Sequence, residues 1–243
     1  MKNPKWHRDE IILALELYFR TESGHIHARN PEIVELSEIL NKLPIHEIRP
    51  DTEKFRNPNG VGLKLCNFLA IDPNYQGKGM GSYSKLDFEV FMEFVNDKER
   101  LSNLSKQIKK TVLNKEINLK LYEIADDDDY ENSSVKEGLV VYKLHKYRER
   151  DSNINRKKKE KYYKAHGKLD CEVCGFDFYK VYGQIGEGFI ECHHKKPLAE
   201  IESEVTTSID DLALVCSNCH RMLHRKMNVI SIEDLKKRIK NDC

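Results

Sequence analysis

Two cysteine pairs of identical spacing, Cys171-x-x-Cys174 and Cys216-x-x-Cys219, lie in the last third of the chain, with His193-His194 between them and His220 and His224 after them. A Cys-x-x-Cys pair presents both sulfurs to one ion with little strain, and four thiolates close a tetrahedral zinc site against further ligands. Cys171, Cys174, Cys216 and Cys219 are therefore expected to hold structural zinc. The histidines are left for a second, more open site suited to a transition metal. A segment this short has little core of its own, so zinc is expected to keep it folded.

Cysteines clustered in this way, with Cys66, Cys192 and Cys243 left over, point to metal binding in a reducing compartment rather than to a disulfide framework. No stretch approaches the roughly 20 apolar residues of a membrane span, and residues 1–9 lack an apolar core or cleavage pattern. The expectation is a soluble, cytoplasmic protein without a membrane partner. Its 243 residues include 41 Lys and Arg against 40 Asp and Glu, so a polyanionic partner would have to be bound by local patches. The clearest patch is Arg156-Lys157-Lys158-Lys159-Glu160-Lys161, followed by Tyr162, Tyr163 and Lys164. It reads either as a solvated helix face or as a phosphate-contacting one, with Lys157, Lys158 and Lys159 as the contacts.

The overall pattern is α+β. Residues 9–19 read as a helix capped by Asp9, with Ile12, Leu15 and Phe19 on one face. A second helix starts at Pro31 and runs to about residue 43. Turn chemistry at residues 56–60 leads into an apolar segment at 61–71. The glycine loop at 76–82 lacks the spacing and the Lys-Ser/Thr ending of a phosphate-cradling Walker sequence. Residues 86–113 favour helix, broken near Ser102. The acidic run Asp126-Asp127-Asp128-Asp129 marks a solvated boundary that closes a mostly helical domain, residues 1–130, for recognition or partner binding. Residues 131–164 read as a linker holding a strand at 138–147, where Val140 and Tyr142 alternate with Val141 and Lys143, and then a basic helix. In the domain at 165–243, Gly183, Gly186 and Gly188 precede a strand at 189–193, a second strand covers 211–215, and a helix covers 217–227. That order is a ββα unit clamped by zinc.

Four residues apart on a helix, His220 and His224 share one face and can chelate one ion. Adjacent on a strand, His193 and His194 point to opposite faces, which suits divided roles: one binds metal and the other handles a proton. A neutral histidine, with a reference pKa near 6.5, is a credible base for that task.

The runs Glu191-Cys192-His193-His194-Lys195-Lys196-Pro197-Leu198 and Asp211-Leu212-Ala213-Leu214-Val215-Cys216, with Cys219-His220 and His224, resemble the HNH (ββα-metal) endonuclease family over about residues 165–228. The histidine-rich core looks like that of nuclease colicins and the cysteine clamp like that of bacterial restriction-type members. The resemblance implies hydrolysis of DNA phosphodiester bonds. It makes His194 the base that activates water and His193, His220 and His224 the ligands of a catalytic divalent metal, whether manganese, cobalt, nickel or magnesium. Asp211 stands where the motif has its central asparagine, and joins His194 among the expected catalytic residues; it can accept hydrogen bonds from loop amides but cannot donate one. Arg221 and Arg225 would hold the neighbouring phosphate, or else form an exposed helix face.

A shorter similarity, Phe55-Arg56-Asn57-Pro58 with residues 61–68, links the N-terminal part to the DNA-reading domain of McrA-like, modification-dependent restriction endonucleases. It implies double-stranded DNA with methylated or hydroxymethylated cytosine as the partner. Trp6, His7, Tyr75 and Lys78 are further candidate contacts, Trp6 being equally a packing residue. Three readings follow: a restriction or phage-defence endonuclease, a weakly specific nicking nuclease controlled by a protein partner, and a zinc-stabilised DNA-binding protein with an inactive centre. A homodimer is left open.

Overall fold

The computed structural model of the protein describes residues 2–77, 79–123, 138–149, 152–195, 208–225 and 230–241. The acidic run, Lys78, residues 196–207 and Cys243 lie outside them. Contacts divide the chain into two compact units, residues 1–124 with 137–143, and residues 125–136 with 144–243. Among the described residues no helix is long and apolar enough to cross a membrane.

The first unit is helical: α1 (Arg8–Arg20), α2 (Pro31–Asn41), α3 (Pro58–Leu69), α4 (Lys85–Phe94), α5 (Lys98–Leu113) and α6 (Lys115–Tyr122). α1 is its hub and packs on α2, α3, α4 and α5. Ile11, Ile12, Leu13, Ala14, Leu15 and Leu17 are all buried, so α1 is covered on every side rather than along the one stripe expected from Ile12, Leu15 and Phe19. Asp9 does not cap it. His7 is the N-cap, accepting from the Asp9 N–H, and Glu10 reaches back to the His7 N–H. Asp9 is fully buried and accepts from the Leu139 and Val140 N–H groups, at 2.8 and 3.3 Å.

That contact overturns the strand expected at 138–147. Gly138, at φ +89°, turns the chain onto the Asp9 carboxylate, which satisfies the first N–H groups of a helix, α7 (Leu139–Glu149). The alternation of Val140 and Val141 misled because both are buried, with Leu144, on a helix. The break expected near Ser102 falls earlier, between Phe94 and Lys98, where Asp97 caps α5 by accepting from the Arg100 N–H. Proline at the first position and an asparagine cap start both α2 and α3, after Asn30 and Asn57.

The second unit opens with the basic helix α8 (Ser152–His166), which is built into the unit rather than standing apart as a linker. Lys158 is buried against Glu172 at 3.6 Å, and the Tyr162 hydroxyl donates to Asp170 at 2.9 Å. After the first cysteine pair come a short helix, α9 (Phe178–Tyr182), and a 3-10 turn (Gly183–Gly186) that sequence patterning had not indicated. β1 (Glu191–His194) and β2 (Leu212–Val215) form an antiparallel pair with His193 opposite Ala213 and His194 opposite Leu212. α10 (Ser217–Arg225) and α11 (Ile232–Asn241) follow. The described elements are thus mostly helical with one small two-stranded sheet, an α+β arrangement.

Candidate metal centres and catalytic site

Local geometry builds the cysteine cluster first. The Gly175 N–H donates to the Cys171 carbonyl at 2.8 Å, with Gly175 at φ +76°, and the Cys171 N–H donates to the Phe176 carbonyl at 2.9 Å. This tight turn aims Cys171 and Cys174 the same way. Within it, the Glu172 N–H donates to the Leu214 carbonyl and the Glu172 carboxylate accepts the Leu214 N–H, at 2.8 and 2.7 Å, gripping β2 just ahead of Cys216. The ligand atoms of Cys171, Cys174, Cys216 and Cys219 come within 4.8 Å of one another.

Four thiols this close are electrostatically unsettled without a cation. Burial and the proximity of Cys171 push the Cys219 thiol far above its ordinary value. Burial, joined by Cys171 but opposed by the Phe176 N–H, pushes Cys174 up to about 11. Cys171 moves the other way: burial raises it, but backbone N–H donors around the turn outweigh that and lower it. A low Cys171 beside a raised Cys174 and Cys219 is the pattern a dication resolves, because it favours every thiolate at once. The donor set fits zinc.

The second cluster follows from strand alternation. His193 is half-buried on the β1 face that looks towards α10, where the His193, His220 and His224 ligand atoms also lie within 4.8 Å of one another. His220 Nε2 and His224 Nε2 face each other at 3.1 Å, and the ring centroids of the three pairs lie 4.7–5.3 Å apart. Three convergent imidazoles suit a transition metal better than magnesium, which prefers oxygen.

Glu191, whose role the sequence reading missed, shares this face. Its carboxylate meets His220 Nδ1 and the Ser217 hydroxyl. A carboxylate on Nδ1 fixes the ring with Nε2 directed at the cluster, the outer contact that commonly orients a metal-binding histidine. The signal was legible: residues 191 and 193 are two apart on a strand and so share a face.

His194 points to the opposite face, opposite Leu212, and is 3% exposed. Asp211 is tied to its neighbour, since the Lys195 N–H donates to the Asp211 carbonyl at 2.8 Å. The Asp211 carboxylate accepts the Ser208 N–H at 2.9 Å and so closes the turn that leads into β2. The structure therefore gathers the three metal-type histidines, with His194 on the other face of β1 and Asp211 in the turn that leads into β2.

The expected phosphate contacts divide. Lys157 and Arg221 are exposed, and the Arg225 side chain is outside the described residues. Lys159 donates to the Gly188 carbonyl at 3.0 Å. Lys158 is a correction: it is 8% exposed and faces Glu172, so its ammonium serves the fold. In the first unit, Arg56 and Lys64 from the McrA-like similarity are buried in ion pairs with Glu10 and Asp87, and both cations sit over the Trp6 ring, at 4.6 and 4.9 Å. Trp6 and His7 thus serve packing and capping, and Phe55, Val61, Leu65 and Phe68 are core.

No curated protein and no solved structure gives a significant match to the chain. Residues 171–226 match the family model described as HNH endonuclease, a span that holds both cysteine pairs and all four histidines, so the second unit carries an HNH endonuclease-family domain.

Proposed function

We propose that the protein is a metal-dependent DNA endonuclease whose centre lies between β1 and α10. The observation that carries this reading is the convergence of His193, His220 and His224 beside a four-cysteine clamp, within the span of the family match. The three imidazoles would hold a divalent metal, which when bound supplies Lewis-acid stabilisation of the charge that builds on phosphate oxygens. Glu191 keeps His220 in the tautomer that presents Nε2. His194 takes the proton of the attacking water, and the Asp211 carbonyl holds the backbone just after it in place. Arg221 and Lys157 stand exposed for neighbouring phosphates. The cysteine clamp carries zinc and fixes β2 and α10 relative to β1.

The substrate in this reading is double-stranded DNA bearing modified cytosine, and the role restriction or phage defence, supported by the sequence similarity at residues 55–68. The slight exposure of His194 favours one alternative, a zinc-stabilised DNA-binding protein with an inactive centre. Plasmid cleavage by the purified protein in manganese, cobalt, nickel or magnesium separates the two. We expect cleavage, strongest in the first three metals, with His194→Ala lowering the rate by about 10²–10⁴-fold at unchanged zinc content. DNA binding without cleavage in any metal would select the inactive-centre reading. Matched duplexes with plain, methylated and hydroxymethylated cytosine then test the substrate; equal rates on all three would remove the modified-cytosine assignment.

A further inference from the structure

A second surface of the same unit stands out from the histidine site. Between α9 and β1 the chain makes a turn of sequence Gly183-Gln184-Ile185-Gly186-Glu187-Gly188. Its shape depends on glycine: Gly183 and Gly188 have φ of +64° and +70°, and a Cβ on Gly186 would overlap the Phe178 carbonyl. So tightly drawn a turn holds its apex in one place. The apex residue Ile185 is 92% exposed, the most exposed of the large apolar side chains among the described residues. Beside it, Tyr182 and Phe189 are more than half or about half exposed, yet both pack on Phe178, at centroid distances of 6.1 and 4.7 Å. Phe178 in turn packs against the core that contains the cysteine clamp. The apolar tip is thus rooted in the most rigidly specified part of the unit.

Charge indicates what covers it. Of the six Lys and Arg on α8, Lys158 is buried against Glu172, Arg156 pairs with Glu160 and Lys161 with Asp210, which leaves Lys157, Lys159 and Lys164 for phosphate, and Lys159 bonds the helix to the turn through the Gly188 carbonyl. The turn itself contributes no cation, and its one charged residue is the acid Glu187, which gives phosphate no partner at the tip. A polyanion drawn to α8 would therefore meet the tip with its apolar parts, which in nucleic acid are the stacked bases. From Phe189 to His193 is at most about 14 Å of extended chain, so one duplex can engage both.

We propose that this turn is a DNA wedge: Ile185 enters between base pairs from the minor groove and kinks the duplex, Tyr182 and Phe189 cover the opened step, and α8 holds the flanking phosphates. The inference rests on the nuclease reading only in taking duplex DNA as the ligand. The test uses the full-length, zinc-loaded protein without added catalytic metal, and a duplex that carries 2-aminopurine and an end-to-end fluorescence pair. Wild type should raise 2-aminopurine emission several-fold and shorten the end-to-end distance. Ile185→Ala should abolish both signals while zinc content and melting stay as in wild type and affinity falls by less than about tenfold. Ile185→Leu should restore both. Binding and metal-dependent cleavage with no distortion in wild type would overturn the wedge alone. Failure of wild type to bind any duplex would overturn the wedge and the nuclease reading together. Should Ile185→Ala leave the DNA signals intact but turn a dimer into a monomer, the tip is a contact between copies and the wedge is overturned.

Discussion

The two units solve the same problem with opposite means. The first buries α1, whose apolar run Ile11–Leu15 is covered on every side, among four other helices and adds buried ion pairs, so its stability is spread over many side chains. The second has a small core in which Cys171, Cys192, Cys216 and Cys219 are themselves members, and its strands are four residues each. In the proposed arrangement, the order that apolar burial supplies in the first unit depends there on a few residues that would share an ion. A distributed core tolerates most single losses, whereas a ligand cluster fails at any one of its members.

The strongest challenge to that contrast is loss of the clamp. Cys171→Ser or Cys216→Ser should release zinc and unfold the second unit, since structural zinc in small domains contributes roughly 10 kcal/mol or more to folding. The first unit should melt as before. Zinc content by atomic absorption and calorimetric melting check this, and a single transition lost throughout the chain would show that the units are not independent.

Next in size is a cut into the first unit. Arg56 sits at φ +46°, a position uncomfortable for a side chain, and is held there by Glu10 and by the Pro4 and Lys5 carbonyls. Arg56→Ala leaves Glu10 buried without its guanidinium and should cost about 3–5 kcal/mol. Chemical denaturation should show the loss in the first transition only, while zinc stays bound. A drop in zinc content in this variant would break the comparison.

Glu191 tests how local the second unit's dependence is. Glu191→Gln removes the carboxylate charge beside His220 and should weaken metal binding at the three histidines by roughly 10–100-fold, with zinc at the cysteines retained. Manganese or cobalt titration reads this directly. An unchanged affinity would mean that α10 alone positions His220.

How much of this was legible in the sequence also differs between the units. Both metal-type clusters could be read because fixed spacings, Cys-x-x-Cys and His220 to His224, translate directly into geometry. The start of α2 was readable from Pro31, which suits the first helical position, whereas the asparagine caps at Asn30 and Asn57 were not singled out. What failed depended on distant partners. Asp9 looked like a local cap and instead caps α7, about 130 residues away, and that same contact makes a helix of residues that alternate like a strand. Lys158 looked like one of a run of exposed lysines until helical phase turned it towards Glu172. Arg56 and Lys64 could have been DNA-reading cations, and only tertiary structure shows Glu10 and Asp87 against them.

The smallest effect, and the one that sharpens the comparison most, is pH. Burial pushes the Glu10 carboxyl up, but His46, the Arg56 guanidinium and the His7 N–H together hold it below its ordinary value. Because the folded value lies below the unfolded one, Glu10 contributes stability that is complete above the ordinary carboxylate range and is lost as pH falls through the folded value. The first unit's Tm should therefore decline only in acid, and zinc should not change that decline. In the second unit the acid-labile groups are the thiols, which must shed protons to bind zinc, and burial opposes this at Cys174, pushed up to about 11, and at Cys219. Its Tm should fall with pH too, and added zinc should shift that loss to lower pH because metal and protons compete for the same sulfurs. Calorimetry from pH 7 to 3, with and without excess zinc, reads both transitions in one sample. A zinc-sensitive first transition, or a zinc-insensitive second one, would mean that the division between a core-built and a ligand-built unit is wrong.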